Sequence, residues 1–169
     1  DPESGITKPA AMIVEVIQGE GGCIPAPDRW LQGLRTITQE LDIPLIIDEI
    51  QTGFGRSGHM FAFESSGITP DAVLLSKAAG GGLPISIVAY NRQYDKWQPG
   101  AHAGTFRGNQ LAMVAGAEQI KLIKQDNLVQ ESARKGNKLI ALLMELKAKY
   151  KLIGDVRGRG LLVGVEIID

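Results

Sequence analysis

Apolar runs in this chain stop at residues that can do chemistry. AMIVEV, from Ala11, ends in Glu15 and continues into QGEGG with Glu20; LIIDEIQTG, from Leu45, delivers Asp48, Glu49 and Gln51; AVLLSK, from Ala72, delivers Ser76 and Lys77, with AAGGG directly after. One lysine therefore faces several carboxylates. A charge at the edge of an apolar interior is costly unless something pairs with it, so Asp48 is aimed at a cation. A plain ion pair between Lys77 and Asp48 is one account. The small residues after Lys77 favour another, because a structural salt bridge does not require bare space around the amine, whereas a docked planar ligand does. A lysine in such a place can condense with a carbonyl to form a Schiff base, and an acid at a neighbouring strand end can hold a heterocyclic nitrogen protonated. At ~4 Å and an effective dielectric of about 20, carboxylate and ring cation attract by roughly 4 kcal/mol, or about 3 pH units of proton affinity.

The elements that must position these groups follow from the hydrophobic pattern. The three runs are nearly continuously apolar instead of alternating, which predicts buried parallel strands, and ligands in open parallel sheets bind outside the carboxyl ends of the strands. Between the first two runs lies DRWLQGLRTITQELDI, where Trp30, Leu31, Leu34, Ile37 and Leu41 recur at helical spacing after a candidate cap, Asp28. The second crossover, GRSGHMFAFESSGITPD, is rich in glycine and carries Pro70, and is expected to be irregular. ISIVAY, from Ile85, follows the third strand after only GGGLP, so it is expected to run antiparallel. After Asn109 two helices are expected, one carrying Leu111, Val114, Ala115, Ala117 and Ile120, the next Leu128, Leu139, Leu142, Leu143 and Leu146. LIGDVRGRGLLVGVEIID reads as a turn and then a strand from Leu161 to Ile167. The fold class is α/β. GFGRSG, Gly53 to Gly58, matches a dinucleotide-binding fingerprint, but Asp48 and Glu49 stand before it and no helix of useful length is expected after it. A tight loop turning under a ligand is the preferred reading.

A lysine and an acid so placed are what pyridoxal phosphate requires, and four segments carry a matching resemblance. VEVIQGEGG, LIIDEIQTGFGRSG, SKAAGGGLP and GTFRGNQLA, in this order and spacing, resemble the signature segments of class III pyridoxal phosphate-dependent aminotransferases. The resemblance spans nearly the whole chain, and AHAGTFRGNQLAM is most similar to the members that move the terminal amine of L-2,4-diaminobutyrate to 2-oxoglutarate; 4-aminobutyrate, ornithine or acetylornithine remain alternative donors. It implies the aspartate aminotransferase-like, fold type I architecture: residues 1–108 as the central part of the cofactor-binding large domain, 109–150 as a helical connection and 151–169 as the start of a small C-terminal α/β domain. By the same resemblance Lys77 carries pyridoxal 5'-phosphate covalently and shuttles the proton between substrate and cofactor carbons. Asp48 binds the pyridine nitrogen, Gln51 hydrogen-bonds the phenolic oxygen or the lysine side, and Thr105 reaches the cofactor phosphate of the neighbouring subunit, which implies a homodimer. Glu20 resembles a carboxylate that alternately pairs with and releases a substrate-binding arginine; as a plain residue it is a turn glutamate among glycines. Thr105, with Gly108 and Asn109, could also cap the following helix. The family's glycine- and serine-rich phosphate cup, ring-stacking aromatic and late substrate arginine have no match here, so the chain is expected to be a central fragment without turnover of its own. A non-catalytic scaffold of the same fold is the rival reading, and it should have lost Lys77 or Asp48.

Composition bounds the partners. With 169 residues, 44% hydrophobic and 22% charged, the chain has the make-up of a globular domain with material for a core. Lys plus Arg is 18 against Asp plus Glu 19, so no charge excess points to nucleic acid or a membrane surface; small molecules, an amino donor and a 2-oxo acid, and a second subunit are the expected partners. The single cysteine, Cys23, rules out an internal disulfide and reads as a turn residue after Gly21 and Gly22. No run is apolar enough to span a bilayer and DPESGITKPA lacks an export pattern, so a cytoplasmic location is expected. Neither His59 nor His102 has companions at metal-ligand spacing, so no metal is assigned. Arg157 and Arg159 are expected in a solvated turn.

Overall fold

The computed structural model describes residues 4–169. In chain order its elements are β1 (Met12–Glu15), β2 (Ile17–Gln18), β3 (Ile24–Pro25), α1 (Asp28–Glu40), β4 (Leu45–Asp48), β5 (Ala72–Leu75), β6 (Ile87–Tyr90), α2 (Gln110–Gln125), α3 (Leu128–Lys149), β7 (Ile153–Arg159) and β8 (Leu162–Ile167), with short 3-10 turns at Ala62–Ser66, Lys77–Gly80 and Arg92–Tyr94. One sheet has the order β1-β4-β5-β6. β1, β4 and β5 are parallel and β6 is antiparallel to β5, as the run lengths and the short GGGLP connection require.

Side chains alternate across a strand, so Met12 and Leu45, and Val14 and Ile47, share one face. That face, with Val16, Ile17, Leu31, Leu34, Ala62, Ile68 and Leu162, forms the apolar core. α1 seats only one edge of its apolar stripe there. Leu31 and Thr38 are buried, while Trp30, Ile37 and Leu41, on the adjacent row, stay exposed. Asp28 is not its cap: Pro27 occupies that position, and the Asp28 carboxylate instead accepts from Ser65 Oγ at 3.0 Å and pairs with Arg159 at 3.1 Å.

α2 and α3 dock through small residues instead of the leucines expected to lead. Ala112, Gly116 and Ile123 are buried on α2, and Ser132 and Gly136 on α3, whereas Leu111, Val114, Leu139, Leu142 and Leu146 are exposed. A Cβ at Gly116 would run into the carbonyl oxygen of Ala79, and one at Gly136 into that of Gly160. Both helices approach backbone to a distance only glycine allows.

The chain's last segment corrects the expected turn. Residues 153–159 form β7, paired antiparallel with β8. Arg157 and Arg159 are held across long sequence separations: Arg157 Nε donates to Gly22 O at 2.7 Å, and Arg159 donates to Ala26 O at 2.8 Å and to Ser65 Oγ at 2.7 Å, while within the hairpin the Arg157 guanidinium donates to Asp155 and Glu166. The hairpin is thereby clamped onto the sheet layer. Among the described residues no helix is long and apolar enough to cross a membrane.

Candidate active site

The carboxyl ends of β1, β4 and β5 lie side by side. Glu15 is in register with Asp48, and Asp48 with Leu74, three residues before Lys77. These paired residues, with Val88 on β6, share the sheet face opposite the α1-packed core. Asp48 is half-buried there, and its Oδ1 accepts from the amide of Ile50 at 2.9 Å, a local turn that fixes the carboxylate's direction. Among the described residues neither Asp48 nor Lys77 enters an ion pair, so the structural bridge between them is not what these residues form.

Lys77 is exposed and opens the 3-10 turn with φ 43°, in the left-handed region that an L side chain occupies at a cost. Its surroundings hold it there. Ser76 Oγ donates to Ile85 O at 2.7 Å and lies 3.2 Å from Ser86 Oγ, Ala79 N donates to Ser76 O at 2.8 Å, and Gly81 ends the turn at φ 59°. Ser76 is thus the clamp of the lysine turn, a role that a lone serine at a strand end does not announce in sequence.

Adjacent acids separate by strand alternation. Glu49 is fully buried, its carboxylate accepting from the Thr52 hydroxyl and from the amide of Phe63 at 3.0 Å. Burial pushes its carboxyl above the ordinary range, against the downward pull of the Thr52 hydroxyl and the Ala62 and Phe63 amides. Glu49 therefore faces away from the edge where Asp48 stands, an outcome the two-residue period could have foretold.

Glu20 rides on the tip of the hairpin made by β2 and β3, where Ile17 pairs with Pro25 and Gln18 with Ile24. The tip is shaped by Gly19 N donating to Glu15 Oε2 at 2.8 Å, and Cys23 closes it at φ 55°. Gln51 Nε2 donates to Glu20 Oε1 at 3.0 Å, and a Cβ at Gly19 would strike the Gln51 side chain. The structure thus brings Glu20 and Gln51 together beside the strand ends of Glu15 and Asp48.

Thr105 lies apart, exposed in a turn before α2 and without a hydrogen bond to any of the other four. The α2 cap is Asn109, whose side chain accepts from Leu111 N at 3.1 Å and Ala112 N at 3.4 Å, so capping is not Thr105's task. Nearby, Trp97 stacks on His102 with ring centres 4.8 Å apart, and Arg107 contacts His102. Residues 53–58 form turns that open no helix. Gly55 and Gly58 there face Val129 and Ala133, so these glycines admit α3, and the dinucleotide reading falls. Among the described residues no group of three or more His, Cys, Asp or Glu is arranged to hold a metal.

The family description Aminotransferase class-III matches residues 6–169. Diaminobutyrate--2-oxoglutarate aminotransferase of Rhizobium meliloti (strain 1021) is 54% identical over 169 residues, covering 100% of this chain and 36% of that protein. The protein of the same name from Haemophilus influenzae is 52% identical, covering 100% and 37%. Among solved structures, an ornithine aminotransferase from Toxoplasma gondii, described as showing partial occupancy of PLP at its active site, superposes with a TM-score of 0.90 at 38% identity, over 94% of this chain and 38% of that one. That from Plasmodium yoelii gives 0.88 at 36% identity, over 93% and 42%. The chain thus spans well under half the length of the relatives it matches.

Proposed function

Since the chain belongs to the class-III aminotransferase family, we propose that the protein of which it forms a segment is a pyridoxal phosphate-dependent transaminase moving the terminal amine of L-2,4-diaminobutyrate to 2-oxoglutarate, with L-glutamate and aspartate semialdehyde as products. One observation supports the chemistry most: a lysine and a half-buried aspartate, neither in an ion pair among the described residues, stand at the same end of adjacent parallel strands. The donor assignment rests on the names of relatives at 44–54% identity. The solved ornithine aminotransferases, at 36% and 38%, support the second reading, ornithine as donor.

The donor set fits the cofactor. An amine in glycine-flanked space suits an aldehyde, a carboxylate with a free oxygen suits a ring N–H, and a side-chain amide suits a phenolic oxygen. Bound there, pyridoxal phosphate supplies the carbonyl that takes up the amino group and the ring that draws electrons from the substrate carbon. Asp48 would hold the ring nitrogen and favour its protonated form by its negative charge. Lys77 would hold the cofactor's aldehyde and, as an amine, would carry the proton away from the amine-bearing carbon of the donor. Gln51, oriented by Glu20, directs its amide to the phenolic oxygen, and Glu20 is the carboxylate available to a substrate-binding arginine. Thr105 serves the phosphate of a neighbouring subunit's cofactor, so the active protein is a homodimer. Residues 1–108 belong to the large domain, 109–150 to the connection and 151–169 to the start of the small one. A cytoplasmic location suits the single cysteine and the water-borne substrates.

The test is borohydride reduction of the full-length protein with its cofactor, followed by peptide mass mapping. The modification is expected on Lys77 and absent from Lys77→Ala; a modified lysine elsewhere would overturn the assignment. Glutamate release with L-2,4-diaminobutyrate, ornithine, 4-aminobutyrate and acetylornithine as donors then decides the substrate.

A further inference from the structure

We propose that Gly116, in the middle of α2, is a positioning residue for Lys77. The functional meaning of this inference rests on the reading of Lys77 given above, while its structural content does not. The lysine turn leans on α2 through its second half. Ala79 and Gly80 are buried, and on the facing helix so are Ala112 and Gly116, one turn apart. The approach is made by backbone. A Cβ at Gly116 would collide with Ala79 O and stand 3.6 Å from Gly80 Cα, and one at Gly81 would lie 2.6 Å from Ala115 O. At Gly116 and Gly81 the closest approach is thus to backbone carbonyl oxygens, which cannot yield without moving the main chain.

Lys77 needs such a buttress. It holds φ 43° with a full side chain, a conformation that persists only where the surroundings over-determine it. On one side Ser76 fixes the start of the turn through Ile85 and Ser86. On the other side α2 packs against residues 79–81, and Gly116 sets how near that wall comes. α2 is itself anchored by the Asn109 cap, directly after the turn that bears Thr105. A methyl at Gly116 therefore shifts the turn, and the amine at its head, relative to Asp48 on the neighbouring strand.

Gly136 supplies an internal control. It makes an equally close approach, to Gly160 O, but on α3, with no atom of residues 77–81 among its nearest contacts. Gly116→Ala and Gly136→Ala add the same group against the same kind of atom, so loss of stability alone should treat them alike. The experiment uses the full-length protein in cofactor-free form, and compares wild type with both variants. It reads hydrogen exchange in peptides covering residues 77–83 and competitive acetylation of Lys77 by acetic anhydride, which reports the reactivity and proton affinity of that amine, with urea midpoints alongside. Gly116→Ala is expected to change both Lys77-turn readouts by roughly fivefold or more, the equivalent of a modest overpacking, while Gly136→Ala lowers the urea midpoint without moving either. Should Gly116→Ala not fold, Ala112→Gly opens the same seat from the other direction and is expected to raise exchange at 77–83. Unchanged exchange and acetylation in Gly116→Ala, no rise in Ala112→Gly, or equal shifts in Gly136→Ala, would each overturn the inference. Borohydride mapping of wild type keeps the two claims apart: a label on another lysine removes the catalytic meaning of Lys77, whereas the exchange result alone decides whether Gly116 holds the turn.

Discussion

Asp48 and Glu49 show how two neighbouring acids come to have different physics. Asp48 keeps a free oxygen at the sheet edge, so Asp48→Asn in the full-length protein should slow loss of deuterium from the amine-bearing carbon of the donor by roughly 10²–10³-fold, the rate equivalent of most of a 4 kcal/mol charge interaction. A near-normal rate would contradict the proposed role at the ring nitrogen. Glu49 lies in the interior with its carboxyl held above the ordinary 4.5, burial being the main cause. The sign follows from proton linkage. A raised folded-state value means the native state binds the proton more tightly, so the group's contribution to stability is present below the unfolded value and lost as pH climbs through the folded one. Glu49→Gln should therefore gain stability relative to wild type as pH rises above about 4.5, as urea midpoints across that range would show. At this scale the placement of Lys77 and Asp48 at neighbouring strand ends was legible, because continuous apolar runs fix where parallel strands stop. The burial of Glu49 and the clamp of Ser76 were not, because their partners, Phe63 and Ile85, are set by folding.

Elements are joined by a few polar ties whose loss should be measurable. Arg35 on α1 pairs with Asp71 before β5 at 2.5 Å, both side chains mostly buried, and Asp71 Oδ2 also accepts from Leu45 N at 2.9 Å as β4 begins. Burial by itself would raise the Asp71 carboxyl, but the Arg35 hydrogen bond, the Leu45 amide and the Arg35 charge hold it below its ordinary 3.8. Its contribution is thus present above that value and lost as pH falls through the folded one. Arg35→Ala should cost about 3 kcal/mol at neutral pH, since it strands a buried carboxylate. Arg159→Ala should cost about 2 kcal/mol by freeing the β7–β8 hairpin from Ala26, Ser65 and Asp28. β7 shows why this tie escaped the sequence. GDVRGR has no apolar alternation, and its charged residues look solvated until residues more than ninety positions away are seen to accept from them. The parallel strands, by contrast, announce themselves by continuous hydrophobicity, and α1 by its period, though not which edge of its stripe would be seated.

At the scale of the whole molecule, the apolar surface left uncovered is large. Phe106 is 91% exposed, Leu111 74%, Val114 63% and Val88 56%, and the first three bracket the turn and helix start next to Thr105. Large exposed apolar side chains gathered along one stretch mark a surface that further chain or a second subunit can cover. Residues 4–169 alone should bind a hydrophobic dye and self-associate on concentration, whereas Phe106→Asp in the full-length protein should weaken the proposed homodimer by about tenfold or more in dissociation constant, read by sedimentation across dilutions. A dimer indifferent to that change would place the subunit contact elsewhere. The clamp from Arg157 to the carbonyl of Gly22 spans 135 residues and has a consequence in time. A ribosome adds on the order of 5–20 residues per second, so the glycine tip that carries Glu20 leaves the exit tunnel on the order of ten seconds before its arginine exists. During nascent-chain growth that tip must wait without its latch, and the site's first-made corner is among the last to set.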